Sequence, residues 1–107
     1  MDPSETLINN AQEFLKEAKL AKENKSYNSA TTLFFKALAV IADWHILKKE
    51  GFIPSNHTQR FKLLKEKYLP IYRLLDKDFP TYQDSYRLKI SEEVVEVLEQ
   101  DVAEIVK

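Results

Sequence analysis

The chain has a single glycine and no cysteine. β-Sheet folds need many residues suited to tight turns, whereas a helical bundle needs few, so the scarcity of glycine predicts an all-α fold. Without cysteine there is neither a disulfide framework nor thiol chemistry, which fits a reducing, cytoplasmic setting. One glycine also leaves no glycine-rich phosphate loop of the kind that cradles nucleotides in many enzymes.

Histidine is scarce as well. The two histidines, His45 and His57, belong to no HExxH or Glu-x-x-His motif, so the sequence predicts neither a metal ion nor a cofactor. His45 lies on an apolar helical seam, which is typical of a core histidine. His57 lies at the start of a predicted helix beside basic residues, where it can contact an anion or be an ordinary loop residue.

Length and charge predict one domain over residues 1–107 with an uneven surface. Residues 48–90 carry ten Lys or Arg and five acids, giving +5, whereas residues 91–107 carry one Lys and six acids, giving −5. The basic middle can attract phosphate. Alternatively, the opposite charges only solubilise different faces. The acidic first residues contain no apolar signal region.

The stretch Ser26–Glu50 is predicted to form one long central helix. Its apolar residues recur every three and four positions and cover most of the circumference, so most sides should be buried. Ser26 is the expected N-cap, and Gly51 is the expected stop. In one alternative, the row of apolar side chains that contains Phe35 and Ile46 packs against another subunit. The polar stripe left for solvent is Ser29, Thr32, Lys36 and Asp43, and its charges make the helix too polar for a membrane span.

The remaining pattern predicts a bundle of four or five helices. A first helix over Ser4–Asn24 should run antiparallel to the central one, and a third should start at Ser55 or Asn56 and end near Tyr68. Proline is expected to interrupt the chain at positions 70 and 80, leaving Tyr82–Arg87 as a short separate helical piece. Ser91 should cap a last helix with one acidic face, on which Val94, Val95, Leu98, Val102, Ile105 and Val106 fill the apolar side.

The candidate ligand-binding residues combine aromatic rings with positive charge. Aromatic rings can stack on a nucleobase, and arginine can hold a phosphate through two parallel hydrogen bonds. In the alternative interpretation, the tyrosines pack a helix junction and Arg87 pairs with an acid of the last helix. The candidates are Lys36, His57, Arg60, Tyr82, Tyr86, Arg87 and Lys89.

Together these features resemble the HEPN family, small helical bundles found beside or fused to nucleotidyltransferases. The resemblance covers nearly the whole chain and rests on the order and spacing of its parts. Those parts are Tyr27–Ala30 followed by Phe34–Ala37, the Gly51 stop, the Pro-Ser-Asn-His entry at 54–57, the Tyr82–Arg87 cluster with its Tyr-x-x-Ser pattern, and the Ser-Glu-Glu start at 91–93.

The resemblance implies an up-and-down bundle, often a homodimer, with roles in nucleotide binding, RNA cleavage or toxin–antitoxin pairing. The family's ribonucleases use an arginine followed four to six residues later by histidine. Here no histidine lies downstream of Arg60, Arg73 or Arg87. Because that acid/base group is missing, the resemblance carries the fold and the dimer but no catalytic residue.

Three functional hypotheses follow. The preferred one is a non-catalytic, dimeric module that binds a nucleotide, an RNA or a nucleotidyltransferase partner, away from membranes. The second is a metal-independent ribonuclease that uses His57 with Arg60 or Arg87. The third is a structural adaptor that holds a partner protein through the central apolar helix and the acidic last helix.

Overall fold

A computed structural model describes residues 1–106, and in that range it contains five α-helices and no strand. The all-α bundle expected from the sequence is confirmed. The helices are α1 (Pro3–Glu23), α2 (Tyr27–Glu50), α3 (His57–Lys67), α4 (Leu69–Asp84) and α5 (Glu92–Ile105).

Helices α1 and α2 form a closely packed hairpin. Ala11 and Ala18 are buried on α1, and their small side chains allow the two backbones to approach. Asp2 is the N-cap of α1, because its carboxylate accepts a hydrogen bond from the backbone N–H of Glu5 at 3.0 Å. The turn into α2 places Lys25 at φ 62°, a left-handed conformation that is uncommon for residues other than glycine.

Helix α2 is the centre of the bundle and packs against α1, α4 and α5. The interpretation that gave Phe35 and Ile46 to another subunit is wrong, because both are at most 1% exposed within the single chain. The expectation that this helix is too polar for a membrane span is wrong, because by length and composition alone α2 could cross a membrane; 61% of its most apolar 18-residue window is, however, buried in the bundle. The core helix of a soluble protein has the same properties.

The ends of α2 match the prediction in position but only partly in mechanism. Gly51 adopts φ 86° and ends the helix, as expected for a residue without a Cβ. Ser26 precedes the helix, but its hydroxyl makes no capping hydrogen bond, so that part of the prediction is wrong.

Trp44 and His45 of α2 are half-buried. Trp44 Nε1 donates to Ser4 Oγ at 2.9 Å, and His45 Nε2 lies 3.1 Å from the carbonyl oxygen of Ile105.

The prediction that Pro80 interrupts the chain is wrong, and so is the separate helical piece over Tyr82–Arg87. Helix α4 continues through Pro80 to Asp84, and residues 85–87 form a turn. Proline has no N–H to donate to the preceding helical turn, which ordinarily disfavours this position. Here Phe79 and Tyr82 pack on Phe35 of α2 from both sides of the proline, and these contacts hold the helix in one piece.

The connection from α4 to α5 is held by one side chain of α2. Asn28 Nδ2 donates to the carbonyl oxygens of Ser85 and Leu88 at 2.9 and 2.6 Å, and Asn28 Oδ1 accepts from the N–H of Ile90 at 3.1 Å. Ser91 then caps α5 as predicted, with its hydroxyl 3.4 Å from the N–H of Val94. Val106, expected on the buried face of the last helix, is 58% exposed because α5 ends at Ile105.

Two carboxyl groups are buried where α4 meets α5. Asp78 is 2% exposed and Asp101 8% exposed, and Lys77 Nζ lies 2.9 Å from Asp101 Oδ2. Burial raises the pKa of Asp78 to about 8, and the hydrogen bond and charge of Asp101 add to that shift. The pair therefore holds a proton at neutral pH.

Candidate ligand-binding site

Side chains of α1, α2, α3 and α4 line one surface hollow of about 270 Å³, which we call the Lys36 hollow. It brings together a lysine, an arginine, a histidine and a tyrosine that lie far apart in the sequence. Its lining residues are Phe14, Phe35, Lys36, Ala39, Val40, His57, Arg60 and Tyr82. Four of the seven candidates from the sequence are in this set.

The start of α3 places two of these residues. Asn56 Oδ1 accepts from the N–H of Gln59 at 2.9 Å, so Asn56, one of the two residues expected at this position, is the N-cap. Gln59 Oε1 in turn accepts from the N–H and the hydroxyl of Ser55 at 2.6 and 2.8 Å. With its first turn fixed, α3 presents His57 and Arg60 three residues apart, a spacing that places both on the same side of a helix.

A chain of hydrogen bonds runs from α2 through Arg60 to His57. Arg60 Nε and Nη2 donate to Asp43 Oδ1 and Oδ2 at 2.7 and 2.9 Å, and Arg60 Nη1 lies 2.8 Å from His57 Nδ1. Asp43 is 5% exposed. The sequence placed Asp43 on a solvent-facing stripe; that placement is wrong, because the guanidinium of Arg60 covers the carboxylate.

Charge at the hollow is positive but modest. The fork of Arg60 is neutralised by Asp43, whereas the exposed Lys36 keeps its positive charge beside the aromatic wall. His57 is exposed at the surface, but partial desolvation by its neighbours, followed by the nearby Arg60 guanidinium, lowers its pKa below the usual value, and Lys36 acts in the same direction. At pH 7 the imidazole is therefore neutral.

Phe35 of α2 and Tyr82 of α4 form an aromatic wall of the hollow, and Phe79 and Tyr86 pack against Tyr82 behind it. Tyr82 stacks on Phe35 with ring centroids 4.7 Å apart, and Phe79 lies 6.1 Å from Tyr82. Tyr86 meets Tyr82 edge to face at 5.6 Å and donates its hydroxyl proton to the Tyr82 oxygen at 2.9 Å. Because Tyr86 is 68% exposed, its ring is accessible from solvent.

A second hollow of about 470 Å³ lies on the other side of His57; we call it the Lys62 hollow. Its lining combines two lysines and three aromatic rings with one acid. The lining residues are His57, Thr58, Phe61, Lys62, Lys65, Tyr72, Asp76 and Phe79. His57 lies on the boundary between the two hollows, because it is the one residue that lines both.

The other predicted site residues lie nearby or elsewhere. Tyr86 adjoins the Lys36 hollow through its contact with Tyr82. Arg87 and Lys89 are exposed in the connection from α4 to α5 and line neither hollow. A role for these two residues in ligand binding stays a prediction.

The sequence did not place Asp43, Lys62 and Lys65 in a site. The Lys62 hollow depends on how α3 lies against α4, which helical periodicity within either helix does not reveal. Asp43 did give a signal: it is an acid on a nearly all-apolar helix, and a buried carboxylate requires a partner. That partner is Arg60.

Among residues 1–106 there is no group of three or more His, Cys, Asp or Glu side chains placed to hold a metal ion. Comparison of the chain with protein-family models, curated proteins and solved structures found no match.

Proposed function

We propose that this chain is a non-catalytic module that binds a nucleotide or an RNA segment at the Lys36 hollow. The observation that carries the proposal is the convergence of Lys36, His57, Arg60 and Tyr82 from three helices on one hollow. Lysine supplies a positive charge for a phosphate, and an aromatic ring of the Tyr82–Tyr86 pair supplies a face for a base.

The ribonuclease alternative requires a group that accepts the proton of a ribose 2′-hydroxyl. His57 is the only histidine of the hollow, and its Nδ1 lies 2.8 Å from a guanidinium nitrogen, which can only donate. That arrangement leaves the imidazole without a free basic nitrogen facing the hollow. We therefore favour binding over cleavage.

From the resemblance we further propose kinship with the HEPN family, a homodimer, a cytoplasmic location and a nucleotidyltransferase as partner protein, in the setting of toxin–antitoxin pairing. Sedimentation of the purified chain tests the dimer, and co-expression with a minimal nucleotidyltransferase tests the partner. A monomer at all concentrations would contradict the first of these, and separation of the two proteins on purification would contradict the second.

The ligand proposal is tested by titrating ATP and a short single-stranded RNA into the intact chain. Lys36→Ala should weaken binding about tenfold or more, because it removes a hydrogen bond from a charged group to a phosphate. Lys49→Ala is the matched control, since Lys49 is an exposed lysine of the same helix and lines neither hollow. Equal affinity for the two variants would contradict the placement of the ligand.

The same titration separates the remaining hypotheses. Arg87→Ala shows whether the connection from α4 to α5 contributes to binding. Failure of ATP and RNA to bind, together with recovery of a stable protein complex, would favour the structural adaptor.

A further inference from the structure

We propose that Asp43 and Arg60 are positioning residues that hold His57 as the neutral tautomer with its proton on Nε2. A ligand at the boundary of the two hollows then meets a fixed hydrogen-bond donor instead of a base. The tautomer follows from contacts within the chain, whereas its use in recognition rests on the proposed function.

The donor and acceptor roles follow from chemistry. A guanidinium carries only N–H donors and is always protonated, so the nitrogen facing it must offer a lone pair. Arg60 Nη1 lies 2.8 Å from His57 Nδ1, so Nδ1 is the acceptor and the imidazole proton is on Nε2. Protonation of Nδ1 would remove that lone pair and place two positive groups in contact.

Arg60 is itself fixed. Both oxygens of Asp43 accept from its guanidinium, at 2.7 and 2.9 Å, in a planar two-bond fork. The side chains of Arg60 and Asp43 are 12% and 7% exposed, so solvent competes little for the ion pair. A guanidinium held on two sides cannot turn away from His57 without breaking the fork.

The charges around His57 come from all three helices. On α2 these are Lys36 and Asp43, on α3 Arg60 with Lys62 and Lys65, and on α4 Asp76. Partial desolvation and the Arg60 guanidinium both lower the pKa of His57, and Asp43 opposes them. Since Asp43 is already bonded to Arg60 through both oxygens, the neutral imidazole is favoured.

A neutral N–H donor beside a lysine selects an acceptor-rich anion such as a phosphate. If the histidine titrated near neutrality, its affinity for phosphate would fall as the pH rises, because the imidazole would lose its positive charge. The fixed donor predicts no such loss. For a phosphodiester, whose own charge is constant, affinity should change less than about twofold between pH 7 and pH 8, above the lowered pKa of His57.

The first test needs no ligand. Nitrogen-15 NMR of the imidazole rings in the intact chain distinguishes the two neutral tautomers and follows their titration. His57→Gln identifies the His57 signals, and His45→Gln identifies those of the other histidine. We expect the Nε2–H pattern at neutral pH and titration below the ordinary value of about 6.5.

Arg60→Lys is the deciding variant, because it keeps the positive charge for Asp43 but removes the planar fork. His57 should then titrate closer to its ordinary value and populate both tautomers. An Nδ1–H pattern in the unmodified chain would overturn the proposal, as would identical titration of His57 in the chain and in Arg60→Lys.

The second test uses the dinucleoside phosphodiester adenylyl-adenosine as probe. His57→Gln, which retains an N–H donor, should bind within about threefold of the unmodified chain, whereas His57→Ala should bind about tenfold more weakly. A tenfold loss of affinity between pH 7 and pH 8 would overturn the donor role. An Nε2–H signal without binding of any probe would support the fixed tautomer and contradict the proposed ligand.

Discussion

Replacing Arg60 by alanine should destabilise the fold through Asp43, whatever happens to ligand binding. The Asp43 side chain is 7% exposed, and Arg60 supplies its ion pair at 2.7 Å. Without the guanidinium, the carboxylate would be left buried and unpaired. Breaking a buried ion pair in this way costs about 3–5 kcal/mol.

The size of the effect makes it easy to measure. A chain of this length loses about 4–8 °C in Tm for each kcal/mol, so Arg60→Ala should lower Tm by about 12 °C or more. Urea unfolding followed by circular dichroism gives the free energy directly. Arg87→Ala is the control: it removes the same side-chain type from an exposed turn, where the change should stay within about 0.5 kcal/mol.

A double variant separates the buried charge from lost packing. Asp43→Leu with Arg60→Met replaces the ion pair by apolar side chains of similar length, which is often neutral or stabilising. The double variant should therefore regain most of the stability that Arg60→Ala loses. A loss below about 1 kcal/mol in Arg60→Ala would refute the reasoning, because it would mean that water reaches the Asp43 carboxylate.

Three further predictions concern other parts of the bundle. The pKa of Asp78 is about 8 in the folded state and about 3.9 in the unfolded state, so between these values the folded state holds an extra proton. The free energy of unfolding should therefore fall by more than about 1 kcal/mol from pH 5 to pH 8, as measured by urea unfolding. Asp78→Asn should not show this fall. Asn28→Ala removes three hydrogen bonds, so it should lower the free energy of unfolding by about 2–3 kcal/mol and speed hydrogen exchange at the amide of Ile90. An exchange rate at Ile90 unchanged by the substitution would contradict these hydrogen bonds. Gly51→Ala should lower the free energy of unfolding by about 1 kcal/mol, because a φ of 86° is unfavourable for a residue with a Cβ, even though no atom lies within 4 Å of the place where that Cβ would be. An unchanged Tm in thermal unfolding would contradict the left-handed conformation.

Local sequence signals predicted most of the helices. The cap residues Asn56 and Ser91 and the stop at Gly51 act within one helical turn, so they can be recognised without knowing the fold. Pro80 could not be interpreted in the same way. Whether a helix continues through proline depends on packing, and here Phe79 and Tyr82 both contact Phe35, about 45 positions away in sequence.

The candidate site was predictable in composition but not in arrangement. Tyrosine beside basic residues marked the right type of surface, and Lys36, His57, Arg60 and Tyr82 do meet. Their meeting requires three helices to pack, which no periodicity within one helix encodes. Asp43 was placed in solvent for the same reason, since the partner that covers it is 17 residues away on α3.

The contrast between α2 and α3 has a consequence for how such a protein can diverge. Of the 24 residues of α2, eleven are buried, whereas α3 buries only Leu64 among its eleven residues. Substitutions at the exposed positions of α3 should leave the fold nearly untouched, whereas most changes at the buried positions of α2 should destabilise it. Related chains can therefore acquire new ligand preferences by exchanging lysines along a single helical rim while inheriting an almost unaltered interior.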